Sequence, residues 1–184
     1  MQLTTPTLCA IRTLQRKLYA KAKQEPGYRF YALYDKLWRE DILRFAYRLV
    51  RANKGGPGID GVTFEAIEGG EGVEAFTLKL AQALKEKTYQ RSAVRRVNIP
   101  KGDGTTRPLG IPTIRDRVAQ MAMKLVIEPI FEADFCPTSY GFRPKKSAHD
   151  AVDAIADSLH QGYTEVIDAG CCRNTSTASR IRNS

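Results

Sequence analysis

Two cations bracket one short turn. In "IPKGDGTTRPLGIP", Lys101 stands at the start of the turn and Arg107 just after it. Asp103-Gly104 supplies the positive φ that tight hairpins need, and the extended stretches "SAVRRVNIP" and "TRPLGIP" flank it. The spacing predicts a β-hairpin with a basic tip and flank. On such a hairpin both side chains can converge on one end or face and hold a triphosphate, Arg as a bidentate fork and Lys as a mobile point charge. The same spacing also suits a hairpin with solvated charges. A second candidate is Asp168 in "TEVIDA", residues 164–169, an apolar strand with one carboxylate that runs into the unpatterned "GCCRNTSTASRIRNS". Cys9, Cys136, Cys171 and Cys172 follow neither zinc nor disulfide spacing, which fits reduced thiols in a cytoplasmic protein. His149 suits a surface or capping role near a helix start.

The elements that must position these groups follow from periodicity. Leu8, Ile11, Leu14, Leu18 and Ala22 form one helical stripe, which "QEPG" at 24–27 breaks. A helical region is expected from Tyr28 to about Asn53, with Ile42, Phe45, Ala46, Leu49 and Val50 inward and Arg44, Arg48 and Arg51 mostly off that face. "KGGPGIDGVT", residues 54–63, is a Gly-enabled loop in which Asp60 is a turn former. A helix from about Val73 to Lys87 turns Phe76, Leu80, Ala83 and Leu84 inward. After the hairpin, a helix from about Arg115 to Ile130 buries Val118, Met121, Ala122, Leu125 and Val126. "CPTSYGFRP" is a loop. Ser147 and Asp150 give a capping-box start to a helix with the core stripe Ala148, Val152, Ile155 and Leu159. Helices first, then mixed strands and helices, make the fold class α+β.

Charge sharpens the partner. Residues 1–54 carry 12 basic and 4 acidic side chains, and residues 85–117 carry 9 and 3, within a chain of net charge +9. Two basic blocks suit a polyanion, most simply nucleic acid bound through phosphates; a solvated basic surface is the plainer alternative. No apolar run approaches the roughly 18 residues of a membrane span, and no secretory leader is read at the N-terminus, so no membrane partner is expected.

Four ordered blocks then matter together: "NKGGPGIDGVT", "IPKGDGTTRPLGIPTIRDR", "EPIFEADF" preceded here by Val126-Ile127, and "SYGFRP". Over roughly residues 28–169 the chain resembles the group II intron-encoded reverse transcriptase/maturases. The resemblance implies a basic N-terminal helix over 1–27, the N-terminal extension over 28–91, fingers and the start of a right-hand polymerase palm over 92–169, and an out-of-frame tail over 170–184. It implies that Lys101, Arg107 and Arg115 contact the incoming deoxynucleotide. It implies that Arg48, Arg51, Lys54, Arg117, Tyr140, Phe142 and Arg143 contact template or intron RNA. An aromatic beside an Arg can stack on a base and neutralise phosphate, while plain packing under the loop is the other reading of Tyr140 and Phe142.

The resemblance fails at one place. The family's strand carries a second aspartate, two positions after the first, as a ligand of the Mg²⁺ pair that polymerises nucleotides. Here that position is Gly170. From Cys172 onward, the last base of each codon read with the first two of the next permits Ser-Lys-Tyr-Phe-Asp-Ser-Ile-Pro-His-Ser-Glu, which resembles the family's continuation. The expectation is a frameshift near Gly170 and a chain that holds no Mg²⁺, has no catalytic residues of its own and is inactive as a polymerase. A non-catalytic RNA-binding module and a decayed pseudogene product are the alternatives.

Overall fold

The computed structural model describes residues 5–102, 104–163, 165–169 and 178–181. It divides into two compact units, Met1–Asp134 and Phe135–Ser184, each mixing helices with a two-stranded antiparallel sheet. The first contains α1 (Thr5–Gln24), α2 (Tyr34–Leu37), α3 (Glu40–Ala52), α4 (Phe64–Gly69), α5 (Gly72–Lys85), β1 (Arg95–Pro100), β2 (Thr106–Ile111) and α6 (Ile114–Asp134). The second contains α7 (Ala148–His160), β3 (Val166–Ala169) and β4 (Ala178–Ile181).

The core of the first unit lies where α6 packs against α1 and α3, and α3 packs in turn against α5. Ile11 and Leu18 of α1, Ile42, Ala46 and Val50 of α3, and Val118, Ala122, Leu125 and Val126 of α6 are buried there, as their spacing predicts. Each large aliphatic side chain fully withdrawn from water contributes about 1.5–3 kcal/mol. The α3 stripe is wider than expected, because Leu43 and Tyr47 are buried too. Tyr47 packs edge-on against Phe64 and Phe76, with both centroid separations 5.8 Å. A helix covered from two sides needs two apolar faces, and a one-face reading sees only one of them.

Three boundaries differ from the sequence reading. Residues 28–33 are not helical, and α2 and α3 are separate. Arg39 is extended (φ −65°, ψ 129°) and forks onto Asp41 through Nε and Nη2 at 3.0 and 2.6 Å. That clasp starts α3 afresh. α4, absent from the expectation, is nucleated by Thr63, whose hydroxyl accepts from the Ala66 N–H at 3.2 Å. α6 continues through Pro129 to Asp134. Proline has no N–H to donate to the carbonyl four residues earlier. The Gln15 side chain of α1 donates to that Leu125 carbonyl instead, at 3.1 Å. Lys23 likewise donates to the Ala133 carbonyl, at 3.1 Å, near the end of α6.

In the second unit the capping box forms: Ser147 Oγ accepts from the Asp150 N–H, and Asp150 accepts from the Ser147 N–H at 2.7 Å. The expected core stripe of α7 is not buried; Val152, Ile155 and Leu159 are exposed. Periodicity records which face is apolar, and burial needs a partner for it. β3 pairs with β4 in the register Val166↔Ile181 to Ala169↔Ala178, so part of the unpatterned tail is a strand. Pairing satisfies backbone groups that a lone strand leaves open. Asp103, Gly170 and the rest of the tail lie outside the described residues.

Candidate functional site

The register of β1 and β2 places Ile99 opposite Arg107 and Pro100 opposite Thr106. Successive side chains alternate in a strand, so Arg107 shares one face with Arg95, Val97 and Ile99, and Lys101 follows β1 at the turn. The turn closes with the Lys101 N–H donating to the Thr105 carbonyl at 2.7 Å, and Gly104 adopts φ +79°. Lys101 and Arg107 are exposed, and neither forms an ion pair among the described residues. The ribbon itself buries no residue.

The base of the ribbon is tied to α6. Asp116, only 3 % exposed, accepts from the Tyr89 hydroxyl, the Ser92 N–H at 3.1 Å and the Thr113 hydroxyl at 2.9 Å. Burial, followed by the hydrogen bond and charge of Asp116, pushes the Tyr89 phenol well above its usual range. The Arg115 guanidinium lies 5.2 Å from the Tyr89 ring centre, a cation–π placement. Arg115 is therefore held at the foot of the ribbon whose far end carries Lys101 and Arg107.

The cations expected at RNA separate into two groups. Arg48 and Lys54 are exposed and form no ion pair among the described residues. Lys54 takes φ +49° at the turn that leaves α3. Arg51 is engaged: Nη2 meets Glu65 and Nε meets Glu68, each at 3.0 Å. The hydrogen bond that Arg51 donates to Glu68 leads the causes that raise its pKa. Arg117 is engaged as well, donating to the Gly56 carbonyl at 2.6 Å. Burial lowers the Arg117 pKa, and its Nε finds no hydrogen-bond partner among the described residues. Arg51 and Arg117 both lie over Phe64, at 5.2 and 5.6 Å from its centre. Arg117 thus ties the 54–63 loop to α6, and Arg51 ties α4 to α3. Gly58 is buried in that loop, and a Cβ there would fall 2.6 Å from the Thr113 Cα.

In the second unit Arg143 donates to the carbonyls of Cys136 and Ser139 at 2.7 and 2.8 Å and lies 5.2 Å from the Phe135 ring centre. Lys146 covers the Tyr140 ring at 4.8 Å. Phe142 is fully exposed, with φ +57°. A left-handed backbone is uncommon for a bulky residue. The loop that Arg143 laces turns one aromatic ring out to solvent. The engaged roles of Arg51, Arg117 and Arg143 escape sequence reasoning, because their acceptors are backbone carbonyls or acids brought close by α4. The alternation of Glu65 and Glu68 with Phe64 and Ile67 is the signal that could have found α4.

Among the described residues no three His, Cys, Asp or Glu side chains gather into a group able to hold a metal ion. Asp168 lies on β3. No helix among them is long and apolar enough to cross a membrane.

The first unit is thus a helical body bearing an exposed basic ribbon, and the chain is similar in sequence to known proteins. No family model matches the chain. Protein YkfC of Escherichia coli is 40% identical over 147 residues, covering 79% of this chain and 38% of that protein. The group II intron-encoded protein LtrA of Lactococcus lactis is 39% identical over 127 residues, 68% of this chain and 21% of that protein. An uncharacterized 91 kDa protein in the cob intron of Schizosaccharomyces pombe is 31% identical over 128 residues, 66% of this chain and 15% of that protein. The chain belongs to the group II intron-encoded protein family, whose members similar to it include an intron maturase. It spans well under half the length of these relatives.

Proposed function

We propose that the chain supplies RNA and deoxynucleotide binding of the kind used by an RNA-directed DNA polymerase, a group II intron reverse transcriptase/maturase. In this reading the helices and the ribbon are the N-terminal extension and fingers of a right-hand polymerase, and β3 begins the palm. Lys101 and Arg107, with Arg115 at the foot of the ribbon, receive the triphosphate. Arg48 and Lys54 meet RNA phosphates, and Phe142 stacks on an unpaired base. Arg51, Arg117 and Arg143 support the RNA-facing loops. The observation that carries the proposal is the exposed ribbon, which bears Lys101 at its turn and Arg107 on β2, neither in an ion pair among the described residues, in a chain of this family. Its cysteines, without a disulfide or zinc framework, suit the cytoplasm.

The 184 residues by themselves do not polymerise in this reading, because Gly170 stands where the resemblance calls for a metal-binding aspartate. Binding of dGTP, followed by titration calorimetry, tests the ribbon. Replacing Lys101 and Arg107 with alanine should abolish measurable binding, and unchanged binding would remove the triphosphate assignment. Template-dependent incorporation by the purified chain in a primer-extension assay would overturn the inactivity. A non-catalytic RNA-binding module is the second reading, favoured by the single carboxylate on β3. It predicts RNA binding without dGTP binding. A decayed product that does not fold is the third, and a cooperative melting curve followed by circular dichroism would exclude it.

A further inference from the structure

We infer that Asp116 is the positioning residue of the basic ribbon. The ribbon buries none of its own side chains, and a two-stranded hairpin alone is marginally stable in water. Its direction must be set from outside. The Ser92 N–H, just before β1, donates to Asp116 Oδ2 at 3.1 Å. Tyr89, at the end of the segment leaving α5, donates to Oδ1. Thr113, between β2 and α6, donates to Oδ2 at 2.9 Å and accepts from the Asp116 N–H at 3.2 Å. One carboxylate therefore gathers the segment before the ribbon, the segment after it and the first turn of α6.

The chemistry is specific to a carboxylate. Asp116 is 3 % exposed and forms no ion pair among the described residues, so it is buried at a cost that packing alone would not select. Three neutral donors and the start of a helix offset that cost. The charged group facing the network is Arg115, stacked over Tyr89. The placement of Arg115 and the direction of the ribbon thus depend on one side chain. This rests on the triphosphate reading for its functional meaning, although the anchoring itself does not.

Amide hydrogen exchange on the full 184-residue chain tests it. In Asp116→Asn, the backbone of residues 92–111 should exchange about tenfold faster, the loss of one charge-assisted bond, while α1 and α3 keep their protection. Affinity for dGTP should fall by about the same factor. Unchanged exchange in the ribbon, or equal acceleration in α1 and α3, would overturn the inference, since the second result describes general stability. Should Asp116→Asn fail to fold, Tyr89→Phe removes one donor, keeps the ring beneath Arg115, and is judged by the same contrast. If the parent chain binds no dGTP, the triphosphate reading falls, and the exchange contrast still decides the anchoring.

Discussion

Replacing Gly58 with alanine places a methyl group where there is no room for one. An ideal Cβ would lie 2.6 Å from the Thr113 Cα, 2.8 Å from its nitrogen and 3.1 Å from the Pro112 carbonyl carbon. Carbon atoms in good contact stand about 3.5–4.0 Å apart, so the backbones must part by about 1 Å. Neither side yields easily. Thr113 is 1 % exposed and tied to Asp116. The loop is pinned by Arg117 on the Gly56 carbonyl. Forced overpacking of this kind costs about 1–3 kcal/mol. Each kcal/mol lowers the midpoint of a chain this long by about 2–4 °C. Urea unfolding and thermal melts of Gly58→Ala should show that loss, with faster exchange at Ser92. Gly27→Ala, where nothing lies within 4 Å and no positive φ is needed, should be neutral or slightly stabilising. A Gly58→Ala protein within 0.5 kcal/mol of its parent would refute the packing argument.

Other expectations concern the second unit. Phe142→Ala should weaken binding of single-stranded RNA by about 1–3 kcal/mol, the worth of one stacked base. Arg143→Ala should weaken it too, by loosening the loop, while the dependence of log K on log salt stays within error of the parent; a flatter slope would make Arg143 a phosphate contact instead. Asp150 is held below the usual carboxylate range by the Ser147 N–H first and its hydroxyl second. Its contribution to α7 is therefore complete above about pH 4 and lost as pH falls through the lower folded value. Helical circular dichroism should decline on acidification, and Asp150→Asn should lower the neutral signal and remove the part of the acid transition due to this group.

Much of the architecture is legible in the residues because local chemistry and burial agree. The α1 stripe, the inner face of α6, the hairpin and the Ser147–Asp150 box each need only period or turn chemistry. What is not legible depends on partners distant in sequence. α6 runs past Pro129 because Gln15, 110 residues earlier, donates to the carbonyl that proline leaves free. Tyr47 is buried because Phe64 of α4 and Phe76 of α5 pack against it on a second side of α3. The α7 stripe reads as core from its period, yet Val152, Ile155 and Leu159 are exposed. The candidate site divides in the same way. Residue type marks Arg48, Arg51 and Lys54 alike as cations, and only the fold pairs Arg51 with Glu65 and Glu68 while the other two are exposed.

The central claim is that exposed cations of this chain meet RNA, and the salt dependence of RNA binding tests it most directly. Fluorescence anisotropy with a labelled single-stranded RNA should give log K falling linearly with log salt. Arg48→Ala with Lys54→Ala should flatten the slope by about 1.4, two phosphates at about 0.7 each. Adding Arg51→Ala should flatten it by less than another 0.7, because Glu65 and Glu68 already occupy that guanidinium. No salt-dependent binding by the parent chain, or a slope untouched by the double substitution, would contradict the account.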